Sequence, residues 1–420
     1  MDIAQKEKAG KNVMAFVKKF EKHGPRLPGS EEEQRAAEAL VKEVQLQTGL
    51  DAKKEEFVVH PTSGVGAIPY LGYLSYAALL FYFLTLIPAL NVVFGIVSLV
   101  FMSCMWIFAV THVFRYKTWF DFLFKKSVSN NVVAELPARS GKHDVTIIYS
   151  GHLDTSWNWN MAAYGNPAKM IPLTAAGIVA TVTFAVFTYI KVIGGLALGD
   201  YPVMIIVPAI CGIFFLPLCL FLSYNKKKAS PGAMDNLTGI GLALETVKYY
   251  KNNPKALPDN VRVFFAGLGS EEAGLRGSFA YVKAHLGKDD ILTPGKTYVV
   301  NIDSVADKEH FEVVQGDLWQ TSFFNKDICN LAFDAMTETG VNPKRILNPI
   351  GGCDSTPFHK KGIDTCTLAA QNPVASDYYH TFKDVSTRFG EGVVADGFEV
   401  ILRFTDKILE YHKNRTETPS

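Results

Sequence analysis

The sequence predicts an α/β fold with a mixed, mostly parallel sheet flanked by helices, interrupted by two transmembrane helical hairpins, or four transmembrane helices. Two observations lead to this prediction. Strand-like and amphipathic helical segments alternate along most of the 420 residues, as is typical of a sheet with helices on both faces. Two long apolar stretches interrupt that alternation, and each is long enough for a pair of membrane spans.

The first elements are helices. Ser30 is placed to cap a helix that has three glutamates in its first turn and apolar residues at helical spacing up to Val44. A strand is expected from Glu55. The charged segment Met1–Phe20 is helical in pattern and does not resemble a secretory signal peptide.

The first apolar stretch has no charged residue from Pro61 to Thr111. A bilayer-spanning helix needs about 20 apolar residues. The stretch therefore predicts two spans, near Ile68–Ile87 and Val92–Val113, because Pro88 and its neighbours interrupt it. A buried hairpin in a soluble protein is the alternative, and it would require a very large apolar partner.

The second apolar stretch follows a strand predicted at Val145–Tyr149. It contains two further spans, Ile171–Ile190 and Tyr201–Tyr224, joined by a loop with Lys191 and Asp200. Each insertion crosses the membrane an even number of times, so all hydrophilic segments lie on one side. Basic residues concentrate on that side: Arg115, Lys117, Lys125, Lys126, Lys169, Lys226, Lys227 and Lys228. The positive-inside rule then predicts a multi-pass integral membrane protein whose hydrophilic domain faces the cytoplasm.

The hydrophilic domain is expected in three pieces, residues 1–60, 115–169 and 226–420, separated by hairpins at 61–114 and 170–225. Its later elements continue the alternation, with strands at 131–136, 261–268, 297–302 and 363–369 and helices at 237–250, 279–285, 323–339 and 392–412.

Composition limits the classes of molecule that the chain is expected to bind. The net charge of +1 argues against nucleic acid, and the apolar hairpins make the lipid bilayer a partner. The six cysteines are scattered without CxxC spacing, which favours a reducing compartment over a disulfide framework. Oligomerisation is left open.

Side chains suited to metal binding recur at the ends of the predicted elements. His152 and Asp154 follow the strand Val145–Tyr149, where alternate residues face the same way. Four further points carry acids or histidine: Asp235, the pair Glu271 and Glu272, Asp303, and His380. Each alone has an ordinary structural explanation, such as a helix cap or a turn. Together they favour one site, because open α/β sheets build their sites at strand ends.

Five motifs, in this order, make the chain resemble the M28 family of zinc-dependent peptidases. They are Ser150-Gly-His-Leu-Asp154, Gly232-Ala-Met-Asp-Asn236, Gly269-Ser-Glu-Glu-Ala-Gly274, Val300-Asn-Ile-Asp303 and Tyr379-His-Thr. Segments Arg26–Ser30 and Asp354–Phe358 agree with the family as well. The resemblance covers nearly everything except the two apolar insertions and implies a zinc-exopeptidase-like fold.

The resemblance implies a site for two zinc ions per chain. By position, His152 and Asp303 would bind one ion, Glu272 and His380 the other, and Asp235 would bridge them. Imidazole and carboxylate ligands suit zinc.

The resemblance also implies roles for three other residues. Glu271 corresponds to the general base, and Asp154 to the residue that orients His152. Tyr379 is a candidate for stabilising the tetrahedral oxyanion, with packing as the alternative.

The implied function is that of a membrane-embedded zinc-dependent exopeptidase, foremost an aminopeptidase, acting on peptides that include hydrophobic or membrane-proximal ones. Three alternatives stay open: glutaminyl-cyclase-like acyl transfer, a carboxypeptidase or dipeptidase, and a non-catalytic membrane scaffold. The second insertion leaves the domain after Asp154 and returns before Asp235. Its hairpin, with Trp157, Trp159 and Tyr164, is therefore expected to form one wall of the cleft.

Overall fold

The computed structural model describes residues 2–195, 201–220, 228–372 and 376–417. The strands within these residues are β1 (Ala52–Val59), β2 (Ser127–Leu136), β3 (Val145–His152), β4 (Val261–Leu268), β5 (Thr297–Val305), β6 (Phe311–Asp317), β7 (Ser322–Phe323), β8 (Lys344–Asn348) and β9 (Asp364–Ala370). The α-helices are α1 (Ile3–Glu21), α2 (Glu31–Thr48), α3 (Ile68–Leu84), α4 (Asn91–Phe108), α5 (Asn160–Tyr164), α6 (Met170–Ile193), α7 (Pro202–Leu220), α8 (Gly239–Asn252), α9 (Arg276–His285), α10 (Lys326–Glu338), α11 (Ser355–His359) and α12 (Glu391–Glu417).

Local sequence explains several of these elements. The Ser30 hydroxyl accepts a hydrogen bond from the Glu33 N–H at the start of α2, and Gly49 ends that helix in the left-handed region with φ 69°. Every residue of β3 and of β4 is buried, as expected of strands that are covered on both faces.

The strands form one sheet in the order β1-β2-β4-β3-β5-β9-β6-β7, with β8 beside β6. The sheet is mixed, as predicted, and its centre, β4-β3-β5-β9, is parallel. Parallel pairs do not predominate, however, because four of the eight pairings within the described residues are antiparallel. These pairings lie toward the sides of the sheet, and short turns can connect antiparallel strands that follow each other closely in sequence. One such turn precedes β7, which takes Phe323 out of the predicted helix, and α10 begins only at Lys326.

Helices cover both faces of the sheet. The largest core packs α1, α2, α8, α10 and α12 against one face, and a smaller core packs α9 and α11 against the other. A third core belongs to the apolar helices, in which α3 contacts α4 and α7, and α6 contacts α4 and α7. The two insertions therefore pack together as one helical bundle beside the sheet domain.

Within the described residues, three helical segments are long and apolar enough to cross a membrane: Pro88–Phe114, Pro172–Ile193 and Pro202–Leu220. Only 33–39% of the most apolar window of each segment is buried within the protein. The fourth predicted span, Ile68–Ile87, is helical only to Leu84. Its 17 residues cover about 25 Å, less than the ~30 Å of a bilayer core.

Some sequence predictions fall outside the described residues. Asp200, Lys226 and Lys227 are among them, and the predicted span Tyr201–Tyr224 is described only to Leu220.

Candidate metal centre

The carboxyl ends of the central strands meet at one edge of the sheet. His152 is the last residue of β3 and lies opposite Leu268, the last residue of β4. The loop that follows β4 carries Glu271 and Glu272, and Asp303 lies near the end of β5. Parallel neighbours end at the same edge, which is where open α/β sheets hold their ligands.

Two loops add Asp235 and His380 to this edge. Asp235 lies in the segment Ala233–Thr238 that leads into α8, and it stands between two histidines. Its Oδ1 is 3.0 Å from His152 Nε2, and its Oδ2 is 3.0 Å from His380 Nε2. All three side chains are buried. The two oxygens of Asp235 thus face two separate imidazoles.

The donor atoms form two groups that share Asp235. One contains His152, Asp235 and Asp303, and the other contains Asp235, Glu272 and His380; within each group the donor atoms lie within 4.8 Å of one another. Asp303 Oδ1 is 3.8 Å from His152 Nε2, and Glu272 Oε1 is 2.9 Å from His380 Nε2. The sequence-predicted ligand residues are therefore brought together.

These residues fit metal ions. Glu272 Oε1 is buried and lies 2.9 Å from His380 Nε2, but no hydrogen bond of suitable geometry reaches this oxygen from the described part of the chain. Buried polar atoms rarely remain unsatisfied, and an ion at this position would satisfy this oxygen. Imidazole nitrogens with carboxylate oxygens are the ligand set of zinc and similar divalent cations.

The electrostatics of the centre agree with a cation. Burial opposes ionisation of Asp235, yet His152 and His380 hold the pKa of this carboxyl below its usual value. Burial also opposes protonation of His380, but Glu272 and Asp235 raise its pKa to about 10. Burial raises the pKa of Glu272. Three carboxylates around two imidazoles leave an excess of negative charge, which bound cations would balance.

Glu271 lies in the cleft but belongs to neither donor group. Burial raises the pKa of its carboxyl well above the ordinary value. Asp154 fixes the loop, because its two oxygens accept hydrogen bonds of 2.9 Å each from the N–H groups of Glu271 and Glu272. Asp154 Oδ1 also lies 3.5 Å from His152 Nδ1. Asp154 therefore touches a predicted ligand and the loop of the predicted base.

Other buried residues that were given no role from the sequence hold the loops of the centre. Asp384 accepts hydrogen bonds from the N–H groups of Met234 and Asp235. Arg26 is fully buried, and its guanidinium donates to three carbonyl oxygens on two loops of the centre, those of Leu153, Pro231 and Gly232. Arg26 lies in the segment Arg26–Ser30, whose agreement with the family pattern is the one sequence feature that singles it out. Its hydrogen-bond partners are distant in sequence, so the sequence does not predict these contacts.

Glu33 has a larger role than its position predicted. It lies in the first turn of α2, yet it is buried rather than exposed. Its Oε1 accepts hydrogen bonds from the N–H and the hydroxyl of Ser270, at 2.8 and 3.0 Å. Glu33 thus supports the loop immediately before Glu271.

Aromatic rings lie beside His380. The ring of Tyr379 stacks on it with centroids 3.8 Å apart, and Trp159 meets it edge-on at 4.3 Å. Of the residues expected to form a wall from the second hairpin, Trp159 lines the cleft. Trp157 is instead buried in a bridge to Ala229, and Tyr164 is exposed beside Phe382.

The known proteins that resemble this chain in sequence are peptidases. The model of peptidase family M28 matches residues 223–405, less than half of the chain. This part contains Asp235, Glu271, Glu272, Asp303 and His380. Aminopeptidase YwaD of Bacillus subtilis (strain 168) is 27% identical over 173 residues, which are 38% of this chain and 34% of YwaD. The match thus spans about a third of the length of that relative.

Solved structures share the fold over nearly the whole chain. BSAP, a zinc aminopeptidase from Bacillus subtilis, has a TM-score of 0.55 at 14% identity and covers 95% of both chains. Porphyromonas gingivalis glutaminyl cyclase has a TM-score of 0.53 at 14% identity and covers 95% of this chain and 98% of its own. The chain is therefore similar to the M28 zinc aminopeptidases in fold and, in its C-terminal part, in sequence.

Proposed function

We propose that the chain is a membrane-embedded zinc-dependent exopeptidase, an aminopeptidase that hydrolyses peptide bonds. The observation that carries the proposal is the pair of donor groups that share Asp235, with Glu271 beside them and outside both. The similarity to M28 aminopeptidases and to a zinc aminopeptidase fold supports it.

The proposal includes two zinc ions per chain, which the two donor groups support. His152 and Asp303 would hold one ion, Glu272 and His380 the other, and Asp235 would bridge them. When bound, zinc supplies Lewis acidity to the scissile carbonyl and to the attacking water.

Glu271 lines the cleft beside the donor groups and would move the proton. It accepts a proton from the water as the water oxygen bonds to the carbonyl carbon, and it donates that proton to the amine as the C–N bond breaks. Asp154 holds the N–H of Glu271 and so positions this residue. Tyr379 lines the same cleft and would stabilise the oxygen that gains negative charge.

The helical bundle would anchor the domain in the bilayer as two hairpins, 61–114 and 170–225, with the domain formed by 1–60, 115–169 and 226–420. The three long apolar helices support this topology, and α3 would cross as a short fourth span. Basic residues near the domain ends of the helices, from Arg115 to Lys228, favour a cytoplasmic domain. Cysteine-accessibility labelling of a variant with one exposed cysteine in β1 would report its side of the membrane.

Glutaminyl-cyclase-like acyl transfer is the second candidate, because a glutaminyl cyclase shares the fold. The two complete donor groups favour hydrolysis, since a metal-activated water is a general route to peptide cleavage.

One experiment separates these functions. The full chain, purified in detergent, is assayed for zinc content and for products from matched unblocked and N-blocked peptides, including one with N-terminal glutamine. An aminopeptidase releases N-terminal residues from the unblocked peptides only, and chelation abolishes this release. Glu271→Gln should retain zinc and lose turnover by at least about 100-fold. Formation of pyroglutamate without hydrolysis would instead support the cyclase, and zinc binding without any reaction would support a scaffold.

A further inference from the structure

A short amphipathic segment, Arg115–Lys126, connects the apolar helices of the first hairpin to the sheet domain. Its centre is the 3-10 helix Thr118–Leu123. Three large apolar side chains lie on the outer face of this segment, because Trp119, Phe122 and Leu123 are 65%, 76% and 59% exposed. Neighbouring apolar side chains with this much exposed surface mark a site of interaction with a membrane or a partner.

The inner face of the segment is fixed to the rest of the protein. Asp121 forms a 2.8 Å ion pair with Arg276 and lies 3.4 Å from His60 Nδ1. The ring of Phe124 is buried and stacks on the ring of His112, with centroids 5.3 Å apart. These contacts set the orientation of the segment, so the three exposed apolar side chains remain on its outer face.

The segment lies at the domain end of the apolar helices. The helical segment Pro88–Phe114, which is long enough to span a membrane, ends directly before it. Tyr70, in the first turn of α3, is exposed, and its ring contacts Phe108 and Phe124 edge-on at 6.4 and 5.8 Å. Tryptophan and tyrosine are enriched at the boundary between a membrane and water. The segment therefore lies at the level of one boundary of the proposed bilayer.

Basic side chains flank the exposed apolar ones. Lys117, Lys125 and Lys126 are exposed, and no acidic side chain among the described residues pairs with any of them. Asp121, the one acid in the segment, pairs with Arg276 instead. Two copies of the chain that met through this face would bring like charges together, whereas the phosphates of anionic lipids would neutralise them. The charge therefore favours an anionic lipid surface over a second copy.

We propose that the segment Arg115–Lys126 is an interfacial anchor that binds the surface of an anionic phospholipid bilayer. The three exposed apolar side chains insert between the headgroups and the acyl chains, and the three lysines bind lipid phosphates. The inference rests on the proposed membrane embedding of the apolar helices, and it adds a lipid-binding surface outside those helices. Because Asp121 pairs with Arg276 at the start of α9, just after the loop with Glu271 and Glu272, the anchor also holds the metal centre near the membrane surface.

Fluorescence quenching by brominated lipids tests the position of the segment. The full chain is reconstituted in vesicles of phosphatidylcholine and phosphatidylglycerol that carry bromine on the acyl chains close to the headgroups. The emission of Trp119 is the difference between wild type and Trp119→Phe, and it should fall by at least about half relative to vesicles without bromine. The difference between wild type and Trp106→Phe reports in the same way on α4, and so on the embedding of the helices.

A second measurement tests the headgroup. Only the phosphatidylglycerol or only the phosphatidylcholine is brominated, at equal mole fractions, and the brominated phosphatidylglycerol should quench Trp119 more strongly. The double variant Lys125→Gln, Lys126→Gln should lose this preference, because each lysine near an anionic surface enriches anionic lipid by up to about fivefold. Lys142→Gln is the matched control and should keep it, since Lys142 is exposed and precedes β3, at the opposite end of that strand from His152.

The outcomes separate this inference from the functions on which the rest depends. Quenching of Trp106 without quenching of Trp119 would overturn the anchor and leave the membrane spans standing. Equal quenching of Trp119 by the two brominated lipids would overturn the binding of anionic headgroups. A dimer in detergent that Phe122→Ser dissociates would identify a second copy as the occupant and overturn the proposal. Absence of quenching at both tryptophans would overturn the membrane embedding together with the anchor, and none of these measurements depends on peptide hydrolysis.

Discussion

The contact between Gly64, at the start of the first hairpin, and the loop with Glu271 and Glu272 predicts the effect of Gly64→Ala. The added Cβ would lie 2.6 Å from the Glu272 carbonyl oxygen, whereas ordinary van der Waals contact begins at 3.4 Å. The two segments must therefore separate by about 0.8 Å, and both sides of the contact are backbone, so no side chain can rotate away. Overpacking of this kind costs about 1–3 kcal/mol. Because the displaced backbone belongs to Glu272 and adjoins Glu271, the catalytic geometry should change as well.

A misplacement approaching 1 Å near a reacting centre costs on the order of 100-fold in rate. Gly64→Ala should therefore lower kcat/KM by about that factor on every peptide that the wild type cleaves. The assay is peptide turnover by the purified full chain, with zinc content and Tm measured in parallel. Gly392→Ala is the control, because a Cβ there meets open space. Wild-type turnover and zinc content in Gly64→Ala would refute the claim that the hairpin is tied to the loop.

Two further predictions concern buried charges. Asp121→Asn breaks the largely buried ion pair with Arg276 and should lower the free energy of unfolding by about 3–5 kcal/mol. The control is Glu38→Gln, which breaks the exposed ion pair with Lys54 and should cost less than about 1 kcal/mol. Equal decreases in Tm for the two variants would contradict this prediction. Burial raises the pKa of Asp317 from 3.8 to about 6, so the folded state favours the protonated carboxyl. As the pH rises from about 4 to above 6, the free energy of unfolding of the wild type should therefore fall by about 3 kcal/mol relative to that of Asp317→Asn. Parallel Tm curves of the two proteins over this range would contradict the prediction.

The sequence predicted the central elements because their signals are local. The strands β3, β4, β5 and β9 are largely apolar runs, and the first three carry or lead into His152, Glu271 and Asp303 at their carboxyl ends, which converge because these strands are parallel. That is why the motif residues could be expected to meet. Strand β8 was not predicted, because its short sequence, Lys344–Asn348, is not an apolar run and none of its residues is buried. The length of α3 was overestimated because composition counts apolar residues up to Ile87, whereas the helix ends at Leu84.

The contacts that support the loops of the metal centre could not be predicted, because they join residues that are distant in sequence. Glu33 reads as an ordinary first-turn acid, and nothing near it in sequence reveals that its carboxylate accepts from Ser270. Burial raises the pKa of Glu33 to about 8, which shows the electrostatic cost of this position. A contact of this kind depends on how α2 packs against the sheet edge, and helix periodicity alone does not fix that packing.

The sheet order also explains why the first hairpin reaches the cleft, for which the sequence predicted one wall from the second hairpin. Chain connectivity pointed to the second hairpin, because its ends flank Asp154 and Asp235. The first hairpin instead joins β1 to β2, and β2 pairs antiparallel with β4 so that Val132 lies opposite Gly267. Antiparallel pairing places the start of β2 beside the carboxyl end of β4, where the loop with Glu271 begins. A hairpin inserted just before β2 must therefore emerge next to the predicted base. This position follows from strand pairing at the side of the sheet, which the sequence pattern alone does not specify.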